Sequence, residues 1–267
     1  MTTTTATLTE EMVEIAGVTL ELVKGGTGEP LLILHDVLGH RGWLRYHEAL
    51  AQHYTLYIPS HPGFGKSERL DWVLHVRDLA GWYLDALDTL GVGRVPVIGL
   101  GLGGWLAASM ASMCPHQFKK LVLVGASGIK PPDGEIFDMF LVVARQYIAA
   151  SFVDPANTPE YQQLYGANPT PEQAEAWEVA RETSSLLAWR PYMHDPSLPY
   201  LLRRLRHVPT LIVWGRQDAI IPLSAAQVYN DSIPGSRLVA LDHCGHHPEI
   251  EQTDAFVRLV QAFLAEA

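Results

Sequence analysis

Cysteine is nearly absent: Cys114 and Cys244 are the two in 267 residues, far apart and without metal-like spacing. That excludes a disulfide framework and leaves two free thiols, as suits a reducing compartment. Basic residues are also scarce. Lys+Arg number 19 against Asp+Glu 29, a formal charge of −10. Such a surface repels phosphate backbones and anionic lipids, so neither nucleic acid nor membrane is an expected partner. Long apolar runs are missing too: none approaches the roughly 20 residues that span a bilayer. Met1 to Glu10 is threonine-rich, with no basic start and no apolar stretch. It is expected to be a disordered lead-in, not a signal peptide, which makes cytoplasmic the default location.

What is present is 48% hydrophobic and 18% charged residues, enough for a large core in a chain whose length suits one α/β domain. Met12–Ile15 and Val18–Val23 flank Ala16-Gly17 and read as a hairpin. Short continuous apolar runs follow at Leu31–Leu34, Thr55–Ile58, Val95–Ile98, Leu121–Val124, Leu211–Val213 and Leu238–Ala240. Runs of this kind suit strands buried on both faces of a parallel sheet. Val76, Leu79, Ala80, Tyr83, Leu84 and Leu87 recur at helical spacing, as do Phe256, Leu259, Val260 and Phe263. The pattern predicts a doubly wound, mostly parallel, eight-stranded α/β sheet.

From about Gly128 to Arg206 the alternation stops, and helical stretches, prolines and aromatics take over. A helical cap over residues 128–206 is expected there, inserted after the sixth strand into a core made of 1–127 and 207–267. Such an insertion sits over the carboxyl edge of the sheet, where ligands bind. Most of its aromatics are expected to pack the cap's own core. Two or three facing inward would make an apolar pocket, with Phe140 and Trp189 the candidates.

The loops after the strands carry the chemistry. The third strand runs into His35-Asp36-Val37-Leu38-Gly39, the fourth into Ser60-His61-Pro62-Gly63-Phe64-Gly65 and the fifth into Gly99-Leu100-Gly101-Leu102-Gly103-Gly104. Later come Gly215-Arg216-Gln217-Asp218 and Gly245-His246-His247-Pro248. With these motifs in this order, residues 12–265 resemble the α/β-hydrolase superfamily, in particular its capped esterase and carbon–carbon-bond hydrolase branch.

The resemblance implies a catalytic triad with Asp218 as acid and His246 as base, an oxyanion hole from the N–H groups of Val37 and Leu102, and no cofactor. It also implies a serine in the nucleophile elbow, Gly-x-Ser-x-Gly, where this chain has Gly101. Without that hydroxyl no acyl-enzyme forms on serine. Glycine does suit the elbow's positive-φ turn, which costs other residues about 1–3 kcal/mol. Gly101→Ser is therefore expected to lower stability while restoring activity.

Gly99-x-Gly101-x-x-Gly104 matches a dinucleotide fingerprint, but the next strand ends in Val124-Gly125-Ala126-Ser127, without the acid that would hold a ribose. His243, His246, His247 and Asp242 could suggest a metal; the Gly-His-x-Pro frame accounts for His246 without one, leaving His243 and His247 as surface or packing residues. His35 is expected to hold its loop. Asp36 departs from the family's usual glycine: a turn-stabilising role is favoured, against a contact to substrate or an effect on His246. His61 stands where the family often has aspartate. Leu100 is expected in the substrate pocket. Ser67, Ser109 and Ser127 lack elbow geometry and do not replace the nucleophile.

Three functions remain open. The first is a hydrolase for a small hydrophobic carboxylic ester or related acyl substrate, inactivated or impaired at Gly101. The second is a natural serine-less enzyme using His246 as general base on water or substrate, for hydrolysis, elimination or cofactor-free chemistry. The third is a non-catalytic protein that binds a small apolar ligand, as monomer or homodimer.

Overall fold

The computed structural model describes residues 8–166 and 168–266. β1 (Thr9–Ile15) and β2 (Val18–Gly26) pair antiparallel, closing at Ile15↔Val18. Both turn residues have positive φ, 47° at Ala16 and 75° at Gly17, the twist that two-residue hairpins require. Thr9 and Glu10, expected in a disordered tail, are instead paired to Lys24 and Val23. The rest of that expected tail, residues 1–7, lies outside the described residues.

The chain then runs β3 (Glu29–Leu34), α1 (Arg45–Leu50), β4 (Tyr54–Pro59), α2 (Val76–Leu90), β5 (Val95–Leu100), α3 (Leu102–Met113) and β6 (Phe118–Val124). An insertion carries α4 (Ala144–Ala150), α5 (Pro159–Tyr165), α6 (Pro171–Ala188) and α7 (Leu198–Leu201). β7 (Thr210–Gly215), α8 (Leu223–Ser232), β8 (Arg237–Leu241), α9 (Pro248–Glu251) and α10 (Thr253–Ala265) complete it. The eight strands form one sheet in the order β1-β2-β4-β3-β5-β6-β7-β8, parallel from β4 to β8. Every expected strand is present. β5 and β7 are buried at every position, as their unbroken apolar runs require, whereas the edge strand β1 is exposed along most of its length.

The helical faces follow from spacing. α2 buries Val76, Leu79, Ala80, Tyr83 and Leu87 and ends at Gly91, whose φ of 63° stops the helix. α3 is buried along nearly its whole length because it packs beneath the strands and against α2. Among the described residues no helix is long and apolar enough to cross a membrane.

The order of strands places the site. β4 follows β3 on one side, while β5 lies on the other, so the chain switches direction between β3 and β5. Loops at the carboxyl ends of such neighbouring strands open into a common crevice.

The insertion lies over that crevice. Phe152, Tyr161, Tyr165 and Trp177 make a run of ring contacts with centroids 4.9, 5.3 and 5.7 Å apart, a small core internal to the insertion. It also grips the sheet loops. Ser184 Oγ in α6 donates to the Val37 carbonyl at 2.7 Å, and Thr183 Oγ to the Gly63 carbonyl at 3.2 Å. Ser184 is fully buried, so Ser184→Ala leaves a buried carbonyl unpaired and is expected to cost about 1–3 kcal/mol in urea denaturation.

Candidate active site

The parallel register Leu34↔Gly99 sets two residues side by side two positions later: Asp36 after β3 and Gly101 after β5. Gly101 has φ 49° and ψ −113° and forms the sharp turn into α3. Its carbonyl accepts from Gly104, Trp105 and Ser127 N–H at 3.0, 3.2 and 3.0 Å, which fixes the turn. Neighbouring glycines are there for space: a Cβ on Gly103 would collide with the Leu34 carbonyl, and one on Gly104 with Ala126. The spacing that resembles a dinucleotide fingerprint is thus accounted for by close packing of α3 under the sheet.

Asp36 reaches across to this turn. Its Oδ1 accepts the Leu102 N–H at 2.9 Å, and its Oδ2 lies 3.4 Å from the Tyr147 hydroxyl of α4. A Cβ at position 101 would fall within the carboxyl group itself, with Oδ2 3.0 Å away and Oδ1 and Cγ closer still. The carboxylate does bond a backbone N–H at a turn, but the turn is that of Gly101 across the sheet and not its own. It accepts no N–H from its own loop, because its neighbour across the sheet has no side chain and leaves room.

On the other side stands His246, on the loop between β8 and α9. Its backbone N–H donates to the Ser151 carbonyl at 2.8 Å. Its Nδ1 meets Asp218 Oδ2 at 2.8 Å, and Asp218 is itself held through Oδ1 by the N–H groups of Ile220 and Ile221 at 2.8 and 2.9 Å. The Nε2 faces Asp36 Oδ2 at 3.6 Å. One imidazole is therefore flanked by two buried carboxylates. Burial opposes its charge, but Asp218 and then Asp36 outweigh that and push its pKa up to about 10. Burial would raise the Asp36 carboxyl, yet His246, His247 and Arg41 together hold it below the usual carboxylate range. At neutral pH the pair is carboxylate and imidazolium.

A model of the alpha/beta hydrolase fold family matches residues 29–253. The chain belongs to the α/β-hydrolase family. It is 29% identical to a 2-hydroxy-6-oxo-2,4-heptadienoate hydrolase of Pseudomonas putida, over 95% of each chain. It is 30% identical to a 2-hydroxymuconate semialdehyde hydrolase of a Pseudomonas species, over 94% of this chain and 92% of that one. Among solved structures, the 2-hydroxy-6-oxo-6-phenylhexa-2,4-dienoate hydrolase of a Rhodococcus species superposes with a TM-score of 0.80 at 23% identity, covering 98% of this chain and 100% of the other. A bacterial membrane phospholipase A superposes at 0.83 and 24% identity, covering 96% and 86%.

Around the dyad, this α/β-hydrolase buries more charge than its motifs suggest. Arg41 lies 3.8 Å from Asp36 and 3.7 Å from Glu249, with its guanidinium against the His247 ring at 3.2–3.3 Å. Burial pushes the Glu249 carboxyl up to about 7, against the pull of Arg41. Sequence reasoning passed over Arg41 and Glu249. Glu249 directly follows the Gly-His-x-Pro frame in a stretch rich in polar residues, so the local sequence carries no signal of its burial. A cavity of about 20 Å³ lies beside Asp36, lined also by Arg41, Glu249 and Leu100, enough for about one water. The buried Arg41 Nε, Glu249 Oε2, His40 Nε2 and His47 Nε2 have no partners there among the described residues.

His35 Nδ1 donates to the Asp36 carbonyl at 2.7 Å and Nε2 accepts from His61 N–H at 2.9 Å, so this ring holds the β3 loop. His61 stacks on it at 3.7 Å, and burial brings the His61 pKa down to about 4. His247 is buried and faces Arg41 and Glu249, while His243 is exposed. Trp189 is 61% exposed and packs on Phe140 with centroids 5.3 Å apart; neither lines the cavity beside Asp36. Tyr147 is the aromatic that the insertion lowers onto the carboxylate. Ser127 is tied by its N–H to the turn at Gly101, and Ser67 Oγ donates to the Ser60 carbonyl at 2.8 Å.

Proposed function

We propose that this chain hydrolyses an acyl bond of a small oxo substrate, with His246 moving the proton and Asp218 fixing its ring. In this reading Val37 N–H is an oxyanion donor, while the Leu102 N–H, expected as the second, is taken by Asp36 Oδ1 at 2.9 Å; Gly101 stands in place of the serine nucleophile, and residues 128–206 are the cap. The observation that carries it is the line Asp218–His246–Asp36, with gaps of 2.8 and 3.6 Å, aimed at the turn of Gly101. An imidazole so placed between two carboxylates is suited to proton transfer.

The bond class follows the relatives. Their names describe 6-oxo dienoates and a semialdehyde, whose hydrolysis breaks a carbon–carbon bond next to a carbonyl. The carbon fragment leaves as an enolate that must be protonated, and an imidazolium supplies that proton. This shifts the weight from simple esters towards carbon–carbon substrates. The experiment is to follow loss of the 2-hydroxy-6-oxo-2,4-heptadienoate chromophore and release of acetate, with p-nitrophenyl acetate as the ester probe. Turnover lost in His246→Gln supports the reading; turnover of neither probe, or turnover indifferent to His246, overturns it.

A further inference from the structure

We propose that Asp36 is the nucleophile of this site, its carboxylate having moved into the place where the elbow side chain would be. This rests on the hydrolytic reading above and says which atom attacks. Three observations carry it. The carboxyl group fills the volume that a Cβ at Gly101 would need, with Oδ1 and Cγ nearest that point and Oδ2 3.0 Å from it, so the carboxylate reaches the elbow from the β3 loop. Oδ1 sits on the Leu102 N–H at 2.9 Å, leaving Oδ2 to point at the dyad and the insertion. His246 Nε2 lies 3.6 Å from Oδ2, close enough to serve a bond forming or breaking there.

The protonation states fit a carboxylate better than a hydroxyl. A serine needs a neutral imidazole to take its proton, whereas a carboxylate attacks without losing one. An imidazolium held between Asp218 and Asp36 is therefore in the correct state for the first step.

The steps balance. Asp36 Oδ2 adds to the substrate carbonyl carbon, and the bond from that carbon to the ester oxygen or the enolate carbon breaks. The departing group takes the Nε2 proton of His246, leaving an Asp36 acyl anhydride and a neutral imidazole. His246 then takes a proton from water, and the hydroxide adds to Asp36 Cγ. Negative charge develops on Oδ1, which already rests on the Leu102 N–H, the placement that stabilises a tetrahedral intermediate. The Cγ–Oδ2 bond breaks and the acid product leaves with Oδ2 and the remaining proton. Asp36 keeps one oxygen from water, and His246 is again imidazolium.

The oxygen bookkeeping supplies the test. Enzyme in excess over p-nitrophenyl acetate, or over the heptadienoate, is allowed one turnover in ¹⁸O-water. The expected result is unlabelled acetate and a +2 Da shift in the peptide that contains Asp36. Labelled acetate with an unlabelled Asp36 peptide means that water attacks the acyl carbon, of the substrate or of the anhydride, and not Asp36 Cγ, which overturns the proposed route and leaves the hydrolytic reading standing. Absence of turnover with both probes overturns both. A second measurement is Asp36→Asn, which keeps the shape but not the charge. It is expected to lose at least about 10²-fold in kcat while the fold is retained by circular dichroism, and to lower the His246 pKa in an NMR titration. Activity within threefold of the parent, with the His246 shift present, would assign Asp36 an electrostatic role only and overturn the proposal.

Discussion

His246→Ala is expected to lower kcat/KM by about 10²–10⁴, the usual contribution of a positioned acid–base group. The loss does not depend on which nucleophile operates, because the leaving group must gain a proton and the attacking water must lose one, and His246 handles both. The variant should also be less stable. Asp36 and Asp218 would be left as buried carboxylates without their shared cation, and breaking a buried pair in this way costs about 3–5 kcal/mol. His246→Gln, with a side chain of similar size, separates the chemical loss from the packing loss.

The pH dependence has a definite sign. The folded-state pKa of His246, about 10, lies above the ordinary 6.5. Its contribution to stability is therefore complete below about 6.5 and is lost as pH rises through 10. Thermal melts from pH 6 to 10.5 should show a decline that flattens in His246→Gln. The activity limb belonging to the acid form should likewise fall near pH 9–10, and a limb at pH 6–7 would mean that the imidazole is not held between the two carboxylates.

Gly101→Ser is expected to be inactive through the serine and markedly destabilised, a result that the motif alone does not suggest. Two costs add: a side chain forced to φ 49°, about 1–3 kcal/mol, and overpacking against the Asp36 carboxyl, about another 1–3. The second cost disappears in Gly101→Ser/Asp36→Gly. That double variant should regain most of the stability and label with a serine-directed fluorophosphonate, while the single variant should not. Equal labelling of both would show that Asp36 swings aside freely. A double-mutant cycle in Tm and labelling rate measures the coupling directly.

Much of this could be read from the sequence because it is written in local patterns. Leu31–Leu34 and Val95–Ile98 declare buried strands by their apolar continuity, and Gly215-x-x-Asp218 and Gly245-His246 stand on loops that follow such strands. The role of Asp36 was not legible in that way. It depends on β3 lying beside β5 in the register Leu34↔Gly99, a fact of topology 65 residues apart in the chain. The loop sequence alone gives an aspartate in a turn, and turn bonding is the ordinary use of that residue. In the insertion, aromatic content does not say which ring faces inward. Tyr147 meets the carboxylate, whereas Trp189 is mostly exposed, and only the helix orientations decide between them.

The bond from Ser184 to the Val37 carbonyl has a mechanical consequence. Val37 directly follows Asp36, so α6 is latched to the strand-end loop that carries the charged group of the site. Any lifting of α6 to admit a substrate must either unhook that latch or drag the loop, and with it Asp36, away from Leu102. Only the first course keeps Asp36 on the Leu102 N–H, so the Ser184 bond is the one that must break if a substrate is to meet the carboxylate in place.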